Sequence, residues 1–131
     1  MSFGQRDYDR TKPEIDFPGE TPPTELVVED LIEGSGPAVE AGSRVQVHYV
    51  GVAWSTGEEF DASWNRGQPL DFTVGIGQVI EGWDQGLLGM RVGGRRRLEI
   101  PSSMAYGERG AGGAIGPNEA LIFVVDLVDV R

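Results

Sequence analysis

Glu58, Glu59 and Asp61 crowd together, with the chain's one histidine, His48, a strand upstream, so acid–base chemistry is the first reading to test. A serine hydrolase needs an oriented histidine and a strained Gly-x-Ser-x-Gly turn, and no such turn is present. Calcium loops need a longer alternating series of oxygen ligands than this cluster supplies. A paired-carboxylate glycosidase is left open by residue type, but a 131-residue chain leaves little room for a sugar cleft. Gly75-Ile76-Gly77-Gln78-Val79-Ile80 begins like a dinucleotide fingerprint, yet isoleucine stands where the third glycine belongs and no βαβ unit surrounds it. The absence of cysteine removes disulfides, thiolate nucleophiles and cysteine-ligated metal.

What remains is an aromatic set spread one or two to an element: Tyr49, Phe60, Phe72, Trp83, Tyr106 and Phe123. A plain hydrophobic core accounts for Phe72 alone. Tyrosines differ, because a buried hydroxyl needs a partner. Asp61 directly follows Phe60 in a segment that reads as half buried. One carboxylate and two phenols beside an aromatic cleft suit an uncharged, peptide-like ligand. From the residues alone the reading stops at an apolar binding pocket.

The elements that must position this set are short. Leu26–Leu31 reads as a strand closed by Glu33-Gly34-Ser35-Gly36-Pro37. Arg44–Val50 alternates, placing Val45, Val47 and Tyr49 inward and His48 outward. A turn at Ser55-Thr56-Gly57 leads to Glu59-Phe60-Asp61, and Pro69–Val74 is a further strand. From Gln78 to Leu88 apolar residues recur at helical spacing, but two internal glycines allow only a short helix held by its surroundings. Arg95–Ile100 and Ala120–Val130 are strands, the last one central. Arg95-Arg96-Arg97 reads as a solvated charged strand rather than a phosphate patch. Tight connections favour an antiparallel α+β sheet, since parallel pairing needs helical crossovers. The glycine-rich loop between Ser102 and Asn118 is long enough to suggest a function.

Residues 1–24 are expected to form a flexible, proline-containing, acidic tail, and 25–131 the domain. A net charge of −10 argues against nucleic acid and anionic membrane as partners. With neither a signal-peptide pattern nor a stretch of about 20 apolar residues, the expected location is the cytoplasm.

Taken in order, several blocks resemble the FK506-binding (FKBP) type of peptidyl-prolyl cis-trans isomerase. They are Val47-His48-Tyr49-Val50-Gly51, Glu59-Phe60-Asp61-Ala62-Ser63, Phe72-Thr73-Val74-Gly75, Gln78-Val79-Ile80-Glu81-Gly82-Trp83-Asp84-Gln85-Gly86, Arg95 to Pro101, Tyr106-Gly107 and Leu121 to Leu127. The resemblance implies an antiparallel half-barrel of five or six strands over one short helix, with a pocket between them. It implies that Trp83 is the pocket floor, that Tyr49, Phe60, Val79, Ile80 and Phe123 are walls, and that Asp61 and Tyr106 form a polar rim. By the same resemblance the Ile80 N–H receives a ligand carbonyl, Arg66 pairs with Asp61, and Ile115 touches the residue before proline. Catalytic roles fall to Asp61, Tyr106, Trp83, Phe60 and Ile80. Leu70 and Gln78 join the binding set but depart from the family's usual aromatic and glutamate, and Ala111 and Ala114 replace bulkier loop residues. No cofactor or metal is implied. The implied partners are proline-containing peptides, unfolded proteins, and macrolides such as FK506 or rapamycin, bound by a monomer with folding-helper (chaperone) activity. Two rivals stand beside this reading: a binding module with vestigial catalysis, and an interaction protein driven by its acidic tail.

Overall fold

The computed structural model describes residues 10–16 and 21–131. Six strands, β1 Val27–Ile32, β2 Arg44–Ala53, β3 Glu59–Ala62, β4 Leu70–Thr73, β5 Arg95–Ile100 and β6 Leu121–Val130, surround one helix, α1 Glu81–Gly86. They form one antiparallel sheet in the order β1-β5-β6-β2-β3, with β4 also on β2.

β2 and β6 are the longest strands and pair along nearly their whole length, from Val45 opposite Val130 to Ala53 opposite Leu121. The far edge of β2 is shared. β4 pairs its first half, Arg44–Val47, and β3 its second, Val50–Val52, so the chain between them makes a single 3-10 turn, Ser63–Arg66. That division curls the sheet around α1 and is the half-barrel expected above.

Side-chain alternation separates two faces. On the inner face Val47, Tyr49, Leu98, Ile100, Leu121, Phe123, Val125 and Leu127 join Trp83 of α1 and Leu87, which caps the helix, in the main core. The helix can lie this close because two of its faces carry no side chain. A Cβ at Gly82 would come within 2.6 Å of Ile100, and one at Gly86 within 2.9 Å of Leu98. Glycine lowers the intrinsic helicity of this segment, and packing on β5 supplies what propensity does not.

The outer face corrects three expectations. His48 does point away from the core, but it is only 7% exposed: its Nδ1 lies 2.9 Å from Ser63 Oγ and its ring stacks on Trp64 at 4.4 Å. Burial pulls its imidazole below the ordinary value, against the raising charge of Asp126. Nor is the arginine run a solvated strand. Arg95 bonds Asp126 at 3.0 Å, while Arg96 turns inward, grips Asp30, and donates to the carbonyls of Gly86 and Leu88 at the end of α1. Residues 10–16, expected to be solvated, lie against the sheet. Arg10 reaches Asp126 at 3.3 Å, and Ile15 packs on Val52, Trp54, Ala120 and Ile122. Of the tail expected over residues 1–24, residues 1–9 and 17–20 lie outside the described residues.

Candidate functional site

Four strands, a turn, the helix and a loop aim side chains into one cleft on the inner face. β2 contributes Tyr49, β3 contributes Phe60 and Asp61, β4 contributes Leu70, and β6 contributes Phe123. The turn before α1 adds Gln78, Val79 and Ile80, the helix adds Trp83, and the long loop adds Tyr106. The cleft measures about 150 Å³. A larger cleft of about 250 Å³ opens between β1 and the end of α1, but its walls are polar and its Arg96 is already engaged by Asp30 and two carbonyls. Size therefore does not pick the site; convergent aromatic lining does.

The rings meet mostly edge to face, the arrangement their quadrupoles favour. Tyr49 and Phe123 each stand 5.1 Å from Trp83, at 78° and 83°, and Phe60 stands 5.5 Å from Phe123 at 89°. Gly51 makes this possible. A Cβ there would lie 2.6 Å from ring atoms of both Phe60 and Phe123, so the two walls occupy space that any other residue would fill.

At the rim, Tyr49 Oη donates to Asp61 Oδ2 at 2.5 Å and accepts from Arg66 Nη2 at 2.8 Å. Arg66 Nη1 donates to Asp61 Oδ1 at 2.7 Å, closing a three-membered network. Burial pushes the Asp61 carboxyl up, but the hydrogen bonds from Tyr49 and Arg66 outweigh it and hold the group below its ordinary value. Burial, reinforced by the Asp61 charge, pushes both Tyr49 and Tyr106 up. The rim thus carries one firmly ionised carboxylate and two neutral phenols. Tyr106 is 41% exposed, at the mouth of the cleft.

The turn into α1 is built by its own side chains. Asp84 accepts from the N–H groups of Gly75 and Gly77 at 2.8 and 3.0 Å, and both glycines take positive φ. Gln78 Oε1 accepts the Thr73 N–H at 2.8 Å. The Ile80 carbonyl accepts from Trp83 and Asp84, starting the helix, while among the described residues its N–H has no acceptor. An unpaired N–H beside an apolar floor is a ready donor for a ligand carbonyl.

Ten of the expected binding residues thus line one cleft. Ile115 does not. It forms a tight backbone bridge with Ala111, their N–H groups donating to each other's carbonyls at 3.1 and 2.8 Å, and this turns Ile115 into the core at 5% exposure. Arg66 pairs with Asp61 as expected. Gly51 and Asp84 were not singled out by the sequence reading. Gly51 shares Tyr49's face two residues on, and Asp84 follows a two-glycine turn in the first turn of a helix; those spacings were the available signals.

A curled antiparallel sheet over one short helix, with an aromatic cleft and a Tyr–Asp–Arg rim, defines an FKBP-type isomerase domain. The comparisons with known proteins agree. The family profile of the FKBP-type peptidyl-prolyl cis-trans isomerases matches residues 36–128. An FK506-binding protein of Streptomyces anulatus is 67% identical over 91% of this chain and 97% of its own length. The yeast (Saccharomyces cerevisiae) peptidyl-prolyl cis-trans isomerase FPR2 is 51% identical over 81% of this chain and 76% of its own. Among solved structures, AtFKBP13 superposes with a TM-score of 0.76 at 39% identity, covering 84% of this chain and 96% of that one. The chain belongs to the FKBP-type peptidyl-prolyl cis-trans isomerase family, and its activity is the cis–trans isomerisation of Xaa-Pro peptide bonds.

Proposed function

We propose that the aromatic cleft performs this isomerisation by stabilising the twisted amide, with no covalent intermediate and no proton transfer. Amide resonance sets a rotational barrier of about 18–20 kcal/mol. Twisting the C–N bond removes the resonance and leaves a less polar amide, which water solvates less well than the planar form. An apolar cleft removes that handicap, and a shape matched to the twisted rotamer adds differential binding. Proline seats on Trp83 between Phe60, Val79 and Phe123. The Ile80 N–H takes a substrate carbonyl, and Asp61 and Tyr106 orient the rotating one. What supports this is one observation above all: a ring-lined cleft whose ionised carboxylate is already engaged by Arg66 and Tyr49 with its proton affinity lowered, and so is a poor base.

The same surface takes macrolides such as rapamycin and FK506, and FK506 is the ligand for which the Streptomyces relative is named. Leu70, Gln78, Ala111 and Ala114 tune that affinity. The substrates are proline-containing peptides and unfolded proteins, which the protein serves as a monomeric, cytoplasmic folding helper, with the cleft carried by residues 25–131. Among the described residues no helix is long and apolar enough to cross a membrane.

The test is cis–trans exchange on tetrapeptides with Leu or Phe before proline, with and without FK506. Acceleration abolished by stoichiometric FK506 is expected. A folded sample that binds FK506 without accelerating exchange would move the reading to a binding module.

A further inference from the structure

Residues 10–16 precede the stretch 36–128 that matches the family profile, yet they are tied to the sheet at several points. Arg10 bonds Asp126, the Thr11 carbonyl accepts from Arg95 at 3.1 Å, and Ile15 fills the small outer cluster around Val52, Trp54 and Ile122. Lys12 has the most specific placement. Its Nζ lies 2.7 Å from Glu59 Oε1 and donates to Asn65 Oδ1 at 3.0 Å. Asn65 Nδ2 in turn donates to Glu59 Oε2 at 2.9 Å, closing a triangle. The Lys12 hydrogen bond is the largest influence on the Glu59 carboxyl, which is held below its ordinary value. The Streptomyces match is long enough to reach into this segment.

The two residues that Lys12 holds bracket the polar rim. Glu59 opens β3 and directly precedes Phe60 and Asp61; Asn65 directly precedes Arg66. This part of the sheet has little backbone support of its own. β3 is a four-residue edge strand, and its pairing with β2 is broken by an irregularity between Gly51 and Val52. Side chains on the outer face must therefore help fix where Phe60, Asp61 and Arg66 sit.

We propose that Lys12 is a positioning residue for the isomerase: by pinning Glu59 and Asn65 it holds the Phe60–Asp61–Arg66 segment in its working geometry, making residues 10–16 a functional part of the domain. This rests on the assignment of Asp61 and Phe60 to the site given above. Lys12 does not touch the cleft and is not a catalytic residue. The effect is bounded by what an exposed ion pair can contribute, so loss of the latch lowers kcat/KM by about two- to fivefold.

The experiment uses the full chain. Lys12→Ala and Glu59→Lys are each expected to lower kcat/KM on an uncharged Xaa-Pro tetrapeptide by that amount, with near-UV circular dichroism unchanged. The charge swap Lys12→Glu with Glu59→Lys is expected to recover most of the loss, since the Asn65 carboxamide serves either polarity by flipping. Added salt is expected to slow the wild-type chain and leave Lys12→Ala unaffected. An unchanged rate in Lys12→Ala, or a folded charge swap that stays as slow as the single variants, overturns the proposal. A wild-type chain without activity would sink the functional reading instead. The latch is then judged by amide resonances: Phe60, Asp61 and Arg66 shift in Lys12→Ala if the proposal holds, and stay in place if it does not.

Discussion

The two faces of the sheet solve opposite problems. The inner face around Trp83 gathers rings and leaves a cleft of about 150 Å³ open, with the Ile80 N–H unpaired among the described residues. The outer face gathers charge and closes it: Asp126, 1% exposed, is held by Arg95 and Arg10, and His48 is shut between Ser63 and Trp64. The charged groups on the closed face are matched to each other, as a buried charge requires, while the indole N–H groups of Trp54 and Trp64 have no partner among the described residues. On the open face the walls are largely apolar, and the Ile80 N–H and the Tyr106 hydroxyl, neither paired among the described residues, are left for a ligand. The inner side of β2 and β6 thus carries both the main core and the cleft, and the outer side of the same two strands carries the buried ion pairs.

The comparison breaks if a change on one face is felt equally on the other. Asp126→Ala should produce the largest effect. It strands Arg95 and should cost about 3 kcal/mol of unfolding free energy by urea titration, at the low end for a broken buried pair because Arg10 can return to water. kcat/KM of the folded fraction should stay within about twofold. Gly51→Val should do the reverse, driving Phe60 and Phe123 into the cleft. We expect a loss in kcat/KM of about 100-fold, or about 2.7 kcal/mol, with a smaller loss of stability from overpacking.

Arg66→Ala is milder and sharpens the role of the rim. It removes donors to both Asp61 and Tyr49, and a five- to tenfold fall in kcat/KM, about 1 kcal/mol, is expected with stability nearly unchanged. The pH dependence separates the faces further. Asp61 has its folded pKa depressed, so its contribution is present at neutral pH and is lost only as pH falls through that lowered value. His48 is also depressed, but it is neutral when folded: the unfolded chain takes up a proton near 6.5 before the folded one does, so stability falls as pH drops below 6.5. Acidification from pH 7.5 to 5.5 should therefore lower the urea midpoint and leave kcat/KM unchanged, and His48→Gln should flatten the stability profile.

Much of this was legible from local pattern. β5 alternates as its sequence does, and β2 shows Val45, Val47 and Tyr49 on one face, because period-two burial leaves a direct imprint. The cleft residues were legible only through the order of whole blocks, since no single aromatic residue distinguishes a wall from a core. The outer face was not legible. His48 and Arg95 read as exposed because their covers, Trp64 and residues 10–16, come from a turn and a proline-rich stretch with no periodicity to announce packing. Arg96 was missed for a related reason: its partners are carbonyls at a helix end, and carbonyl acceptors leave no mark in side-chain sequence.

The central claim is that rotation on the open face needs no proton transfer, and kcat/KM in H2O and D2O between pH 5.5 and 8 tests it most directly. The account predicts a solvent isotope ratio close to one and a flat profile. A ratio of about two or more, or a step in rate near the ordinary histidine value of 6.5, would show a proton moving in the transition state and would contradict it.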